Sequence, residues 1–141
     1  MDWPSSDTGR MVQLRAGSNG WTCLPDMPAT PGPDPMCYDA QWGKWAEGWM
    51  SHRPPNITAV GVAYMLAGGV DASNTDPYAT RPDSGQAWIM SGPHLMVLSP
   101  GPHAYDAISG EVSNNAPYVM FKGTPYAMLM VPVGGMAAHQ M

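Results

Sequence analysis

Apolar residues along this chain fall into short runs separated by Gly- and Pro-rich breaks, and the spacing within the runs is helical only once. Over residues 39–52, Trp42, Trp45 and Trp49 stand at i, i+3 and i+7, with Ala46 and Met50 beside them. That is one apolar stripe at the helical period. Asp39 supplies an N-cap and Pro54-Pro55 a stop, while Gly43 and Gly48 weaken the helix by roughly 1 kcal/mol each relative to Ala. Elsewhere the runs read as strands. Residues 11–15 alternate. Residues 21–23 resume an extended path after the Asn19-Gly20 turn. Residues 59–66 form a long apolar run, and residues 86–99 read as two buried strands joined across Gly92-Pro93. Residues 117–121 and 126–133 complete the set.

Many short strands, one helix and frequent turns predict a β-rich α+β domain. Its sheet is expected to be mostly antiparallel, sandwich- or barrel-like, with the Trp-rich helix (about residues 39–52) packed on it. The 141 residues fit a single domain with one core, with residues 1–10 and 134–141 as loose ends. Gly and Pro number 16 each, so loops are long. A net charge of −5 with only six Lys and Arg argues against nucleic acid, which requires a basic footprint. No apolar run approaches the roughly 18 residues of a membrane span.

Methionine changes the picture: there are 13, against a single Phe. Met fills irregular core gaps, and it is also a soft ligand for Cu(I). Residues two apart on a strand share a face, which pairs His94 with Met96 and Met128 with Met130. These four residues are the candidate metal ligands. Cys23 and Cys37 flank a Pro-rich loop, and a disulfide there would contribute about 3 kcal/mol through the unfolded state. Two free thiols or half of a metal site are the alternatives, but no CxxC accompanies them. A disulfide implies an oxidising compartment. Residues 1–7 show no signal pattern, so the chain reads as a mature periplasmic or secreted protein. The loop over residues 71–85 offers Asp71, Asn74 and Asp76 as oxygen ligands without the EF-hand spacing, so Asx turns are the expected use. The Gly92-Pro93-His94 triplet recurs at Gly101-Pro102-His103.

Several blocks together resemble a family of small bacterial proteins that carry export signals. They are Leu14-Arg15, Ser18-Asn-Gly-Trp-Thr-Cys23, Asp34-Pro-Met-Cys37, Tyr64-Met-Leu66, Ala72-Ser-Asn-Thr-Asp-Pro-Tyr78, Gly92-Pro-His-Leu-Met-Val97, Pro117-Tyr-Val-Met120 and Gly123-Thr-Pro-Tyr-Ala-Met-Leu-Met-Val-Pro132. The resemblance spans about residues 14–133. It implies export and the Cys pair, not a reaction. The family often has His where this chain has Met128. That departure puts in doubt a site needing the His, yet preserves a softer one.

No Gly-x-Ser-x-Gly elbow or triad spacing marks a nucleophile, and Glu47 and Glu111 are the only glutamates. A non-enzymatic binding protein is therefore the expectation, its best specific ligand copper, held by His94, Met96, Met128 and Met130. A structural or assembly subunit is the alternative, forming a homo-oligomer, a filament or part of a larger exported complex. Few charges and six Trp leave apolar surface to cover. A carbohydrate-binding module would need the Trp rings exposed in a row, which a helical stripe argues against.

Overall fold

A computed structural model describes residues 13–101 and 103–133. Eight strands and one helix follow in the order β1 (Thr22–Leu24), β2 (Met36–Tyr38), α1 (Ala40–Met50), β3 (Gly61–Met65), β4 (Gly69–Asp71), β5 (Ile89–Ser91), β6 (His94–Leu98), β7 (Tyr118–Met120) and β8 (Met128–Pro132). Six strands form one antiparallel sheet in the order β1-β2-β3-β6-β8-β7, and β4 and β5 pair as a separate ribbon. The chain is thus β-rich, with one Trp-bearing helix on an antiparallel sheet, as the pattern predicts. Gly92-Pro93 does join two strands, but they belong to different sheets.

The expected ends, residues 1–10 and 134–141, lie outside the described residues, as do Met11, Val12 and Pro102. Within residues 13–15, the described part of the first expected strand, there is no strand. Leu14 is the only large apolar side chain there, and it is 67% exposed, so nothing anchors the segment. Two strands arise where none was expected. β2 closes the disulfide loop, and β4 starts at a Gly68-Gly69 pair that reads as a turn. Each is three residues long, too short for a period to show.

Alternation sorts the large sheet into two faces. Tyr38, Ala63, Met96, Met130 and Tyr118 align across five strands on one face, and all are buried. Helix α1 covers part of this face. The Asp39 carboxylate begins it: Oδ1 accepts from Trp42 N and Oδ2 from Val62 N, both at 2.9 Å. Gly61 allows the close approach, since a Cβ there would lie 2.9 Å from Gln41 Cβ. Trp42 and Trp45 are fully buried, with ring centroids 4.6 Å apart, and Trp45 Nε1 donates to the Tyr126 carbonyl. Trp49 is half-buried and Met50 is 42% exposed, so the stripe fades at the helix end. Met50 therefore does not join the apolar face. The helix stops before the prolines are reached: His52 takes a left-handed φ of 55°, His52 N donates to Trp49 O, and Arg53 N to Gly48 O. This pair of bonds is the Schellman arrangement, with His in the place glycine usually fills.

The opposite face carries Val62, Tyr64, Leu95, Val97, Leu129 and Val131. Tyr105 reaches over part of it, its hydroxyl donating to Val97 O at 2.8 Å. Near β1 the face stays open: the Trp21 and Tyr64 rings meet at a tilt, centroids 5.4 Å apart, and are 37% and 40% exposed. Cys23 and Cys37 stand opposite each other in β1 and β2 and are joined by the expected disulfide.

Trp45→Ala removes the ring at the centre of the helix–sheet contact. It should lower stability by about 3–5 kcal/mol in urea unfolding, the cost of emptying a buried aromatic site. A loss under about 0.5 kcal/mol would mean the ring is not part of the core.

Candidate functional site

Strand β6 sets His94 on the buried face, where the residue is 3% exposed. Its direct cross-strand neighbours are Met65 on β3 and Pro132 on β8. The reversal at Gly92-Pro93 turns the Gly92 carbonyl back onto the ring, 2.7 Å from Nδ1. A carbonyl only accepts, so Nδ1 holds the proton and Nε2 presents its lone pair. Nε2 is buried and has no hydrogen-bond partner. Burial lowers the His94 pKa below its ordinary value, and the Gly92 carbonyl offsets part of that. The result is a neutral imidazole fixed in one tautomer, with a basic nitrogen facing the protein interior.

The β4–β5 ribbon roofs this ring. A Cβ on Gly69 would stand 3.0 Å from His94 Cε1 and 3.5 Å from Met65 Sδ. The bare α-carbon of Gly69 therefore lets backbone close over imidazole and thioether together. Ser91, paired with Gly69 across the ribbon, buries its Oγ beside the Tyr118 hydroxyl. Tyr118 lies close to Ser91. Burial pushes its phenol up, Ser91 pulls it partly back, and the Asp71 carboxylate adds a further upward push.

Among the four residues the sequence nominates, Met96 lies one same-face step from His94 along β6. Met130 stands opposite Met96 and diagonal to His94, a spacing of about 7–8 Å between backbones. Met128 lies two same-face steps along β8 from the His94 row, about 13 Å by strand rise, and faces Met120 on β7. The fold thus brings His94, Met96 and Met130 together and leaves Met128 apart. Met65 is nearer to His94 than Met128 is, but its place depends on β3 pairing with β6, which no local pattern encodes. Among the described residues, no group of three or more His, Cys, Asp or Glu could hold a metal. The thioethers placed near His94 by the strand pairing are those of Met65, Met96 and Met130.

The acids of this half of the molecule are held in other ways. Asp34 is buried and accepts from Met27 N and Thr30 Oγ1, both at 2.8 Å. Burial raises its pKa, and neighbouring Asp26 adds to the rise. Asp71, at the end of β4, keeps a little accessible surface but is enclosed by protein. Burial, with Asp34 nearby, pushes its pKa up to about 7. Farther along the loop over residues 71–85, Ser73 Oγ accepts from Asp76 N and Asp76 Oδ1 from Tyr78 N, so these polar side chains shape turns.

An open cleft of about 480 Å³ lies where the helix end meets that loop and is lined by His52, Pro54, Asp76, Tyr78, Pro125 and Tyr126. His52 stacks on Tyr78 with centroids 4.1 Å apart. The Tyr126 hydroxyl donates to the Arg53 carbonyl and is bonded to the Tyr78 hydroxyl. Burial, then Tyr78, push the Tyr126 phenol up to about 12. The sequence shows no sign of this cleft, because His52 reads as a helix end and Tyr78 as a loop residue.

Comparison with protein families, curated proteins and solved structures finds no match to this chain.

The acids and His94 give opposite pH slopes. Asp71 ordinarily titrates near 3.8 and does so near 7 in the fold, so between those values only the unfolded chain gives up its proton. Its contribution to stability is present below about pH 3.8 and is lost as pH rises to about 7. His94 is shifted down, so its contribution is lost as pH falls below its ordinary 6.5. Asp71→Asn should therefore stabilise the protein most at pH 8 and least near pH 4 in urea titrations. A gain independent of pH would show that Asp71 ionises as freely in the fold as outside it.

Proposed function

We propose that this is an exported binding protein for a soft metal ion, copper as Cu(I), at His94 with the thioethers of Met96 and Met130. One observation carries the reading: a neutral imidazole has its Nδ1–H tied to a backbone carbonyl while its Nε2 is buried without a partner. Metal-ligating histidines are oriented in this way, with one nitrogen donating to a carbonyl and the other free for the ion. Leaving such a nitrogen unpaired in the interior costs about 1–3 kcal/mol, which a bound ion would offset. Thioether and imidazole donors without carboxylate or thiolate match Cu(I) among the biological metals. Export is supported by the Cys23–Cys37 disulfide. Among the described residues no helix is long and apolar enough to cross a membrane.

Anaerobic titration with Cu(I) should give saturable binding to the wild-type chain and none to His94→Ala. No saturable binding by the wild type, or equal binding by the variant, would reject the site.

A second reading rests on a separate observation. Trp21, Tyr64 and Leu66 expose apolar surface on and beside β3, with Leu66 62% exposed. Such a patch suits a structural or assembly subunit, either self-associating or docking on an exported partner. Light scattering over a range of concentrations discriminates: this reading expects a mass above one chain that falls to one chain in Tyr64→Glu. A single-chain mass at every concentration removes self-association.

A further inference from the structure

Across from His94, the strand register places a thioether that the strand pattern does not nominate. We infer that Met65 is the principal sulfur ligand, and that His94 and Met65 together select a monovalent soft cation, Cu(I) or Ag(I), over divalent ions. This rests on the soft-metal reading above and makes it more specific.

Met65 stands directly opposite His94 across the β3–β6 pair, whereas Met130 is on the diagonal. Directly opposite residues have Cβ atoms about 4.5–5.5 Å apart, against about 7–8 Å on the diagonal. The side chains converge as well. Met65 Sδ and His94 Cε1, the ring carbon between Nδ1 and Nε2, both approach the point where a Gly69 Cβ would be. The Met65 methyl lies nearer than the sulfur, at 3.3 Å, so the end of the thioether and the ring edge both pack against Gly69. Met65 is itself buried at 8% exposure, so its flexible thioether can turn toward the ring without leaving the core.

The selectivity follows from charge. Both donors are neutral, so neither cancels charge on the bound ion, which stays in the protein interior. The cost of burying an ion grows with the square of its charge, so a divalent ion is penalised far more than a monovalent one. Zn²⁺ offsets that cost with thiolate, carboxylate or several imidazoles, and among the described residues no such cluster exists.

The test is an anaerobic competition titration of the full chain against a chromophoric Cu(I) chelator, comparing wild type, Met65→Leu and Met120→Leu. Leu nearly conserves the volume of Met, so both variants are expected to fold. Met65→Leu should bind Cu(I) at least tenfold more weakly, and Met120→Leu, a buried Met on β7, like the wild type. Ag(I) should compete with Cu(I), and Zn(II) should not. A second measurement does not depend on any variant: on titrating the wild type with Ag(I), the Met65 methyl resonance should move first among the methionines. If the wild type binds Cu(I) but Met65→Leu binds equally well, or the Met65 methyl stays still, Met65 is not the ligand and the His94 site stands without it. Zn(II) binding as tight as Cu(I) would overturn the selectivity. Absence of any Cu(I) binding by the wild type would remove the parent reading and this one together.

Discussion

The carboxylate of Asp39 joins the two halves of this architecture. One of its oxygens satisfies the first turn of α1, and the other satisfies Val62 N in β3. Asp39 N in turn donates to Val62 O, so helix start and strand are held by three bonds at one residue. This fixes where the helix enters and how it rotates. That rotation then puts Trp42 and Trp45 over the sheet and leaves Lys44 and Glu47 outside. A helix of this length has little stability alone, and its glycines reduce it further. Docking through Asp39 and the Trp rings is what makes it persist.

Much of this was legible in the sequence, because it depends on local periods. The three Trp at helical spacing announced the helix and the face it buries. Alternation in β6 and β8 announced that His94 and Met96 share a face, as do Met128 and Met130. The two cysteines and the Pro-rich loop between them announced the disulfide. The parts that stayed hidden depend on which strand lies beside which. Met65 gives no local sign of touching His94, since that contact needs β3 against β6. Met128 looks equivalent to Met130 until the pairing separates them by one further step. β2 and β4 are too short to show a period, and the disulfide and the His94 roof, respectively, account for their order.

Polar groups are distributed unevenly across the buried face. The helix-covered part is apolar apart from Trp nitrogens, and Trp45 Nε1 has found a carbonyl. The part under the β4–β5 ribbon gathers His94, Ser91, Tyr118 and Asp71, with Asp34 behind. His94 Nε2 is buried there without a partner. Natural interiors contain few such atoms, and each calls for a reason. Trp42 Nε1 is another, under the helix, so unsatisfied atoms occur beneath both covers.

The strand order also bears on how the chain acquires its shape. β1 and β2 are close in sequence and can pair early, and the Cys23–Cys37 bond seals that hairpin. The central strands are different: Gly61 meets Leu98 and Met65 meets His94 only after the whole loop between them has been closed. β8 must then lie on β6 from the far side. Loop closure of this kind is paid before any contact rewards it, so folding is slow relative to a helical protein of equal size. During that interval β3, β6 and β8 are exposed as apolar, Met-rich segments. Oxidation of its methionines in that interval would write polar sulfoxides into what must become the core.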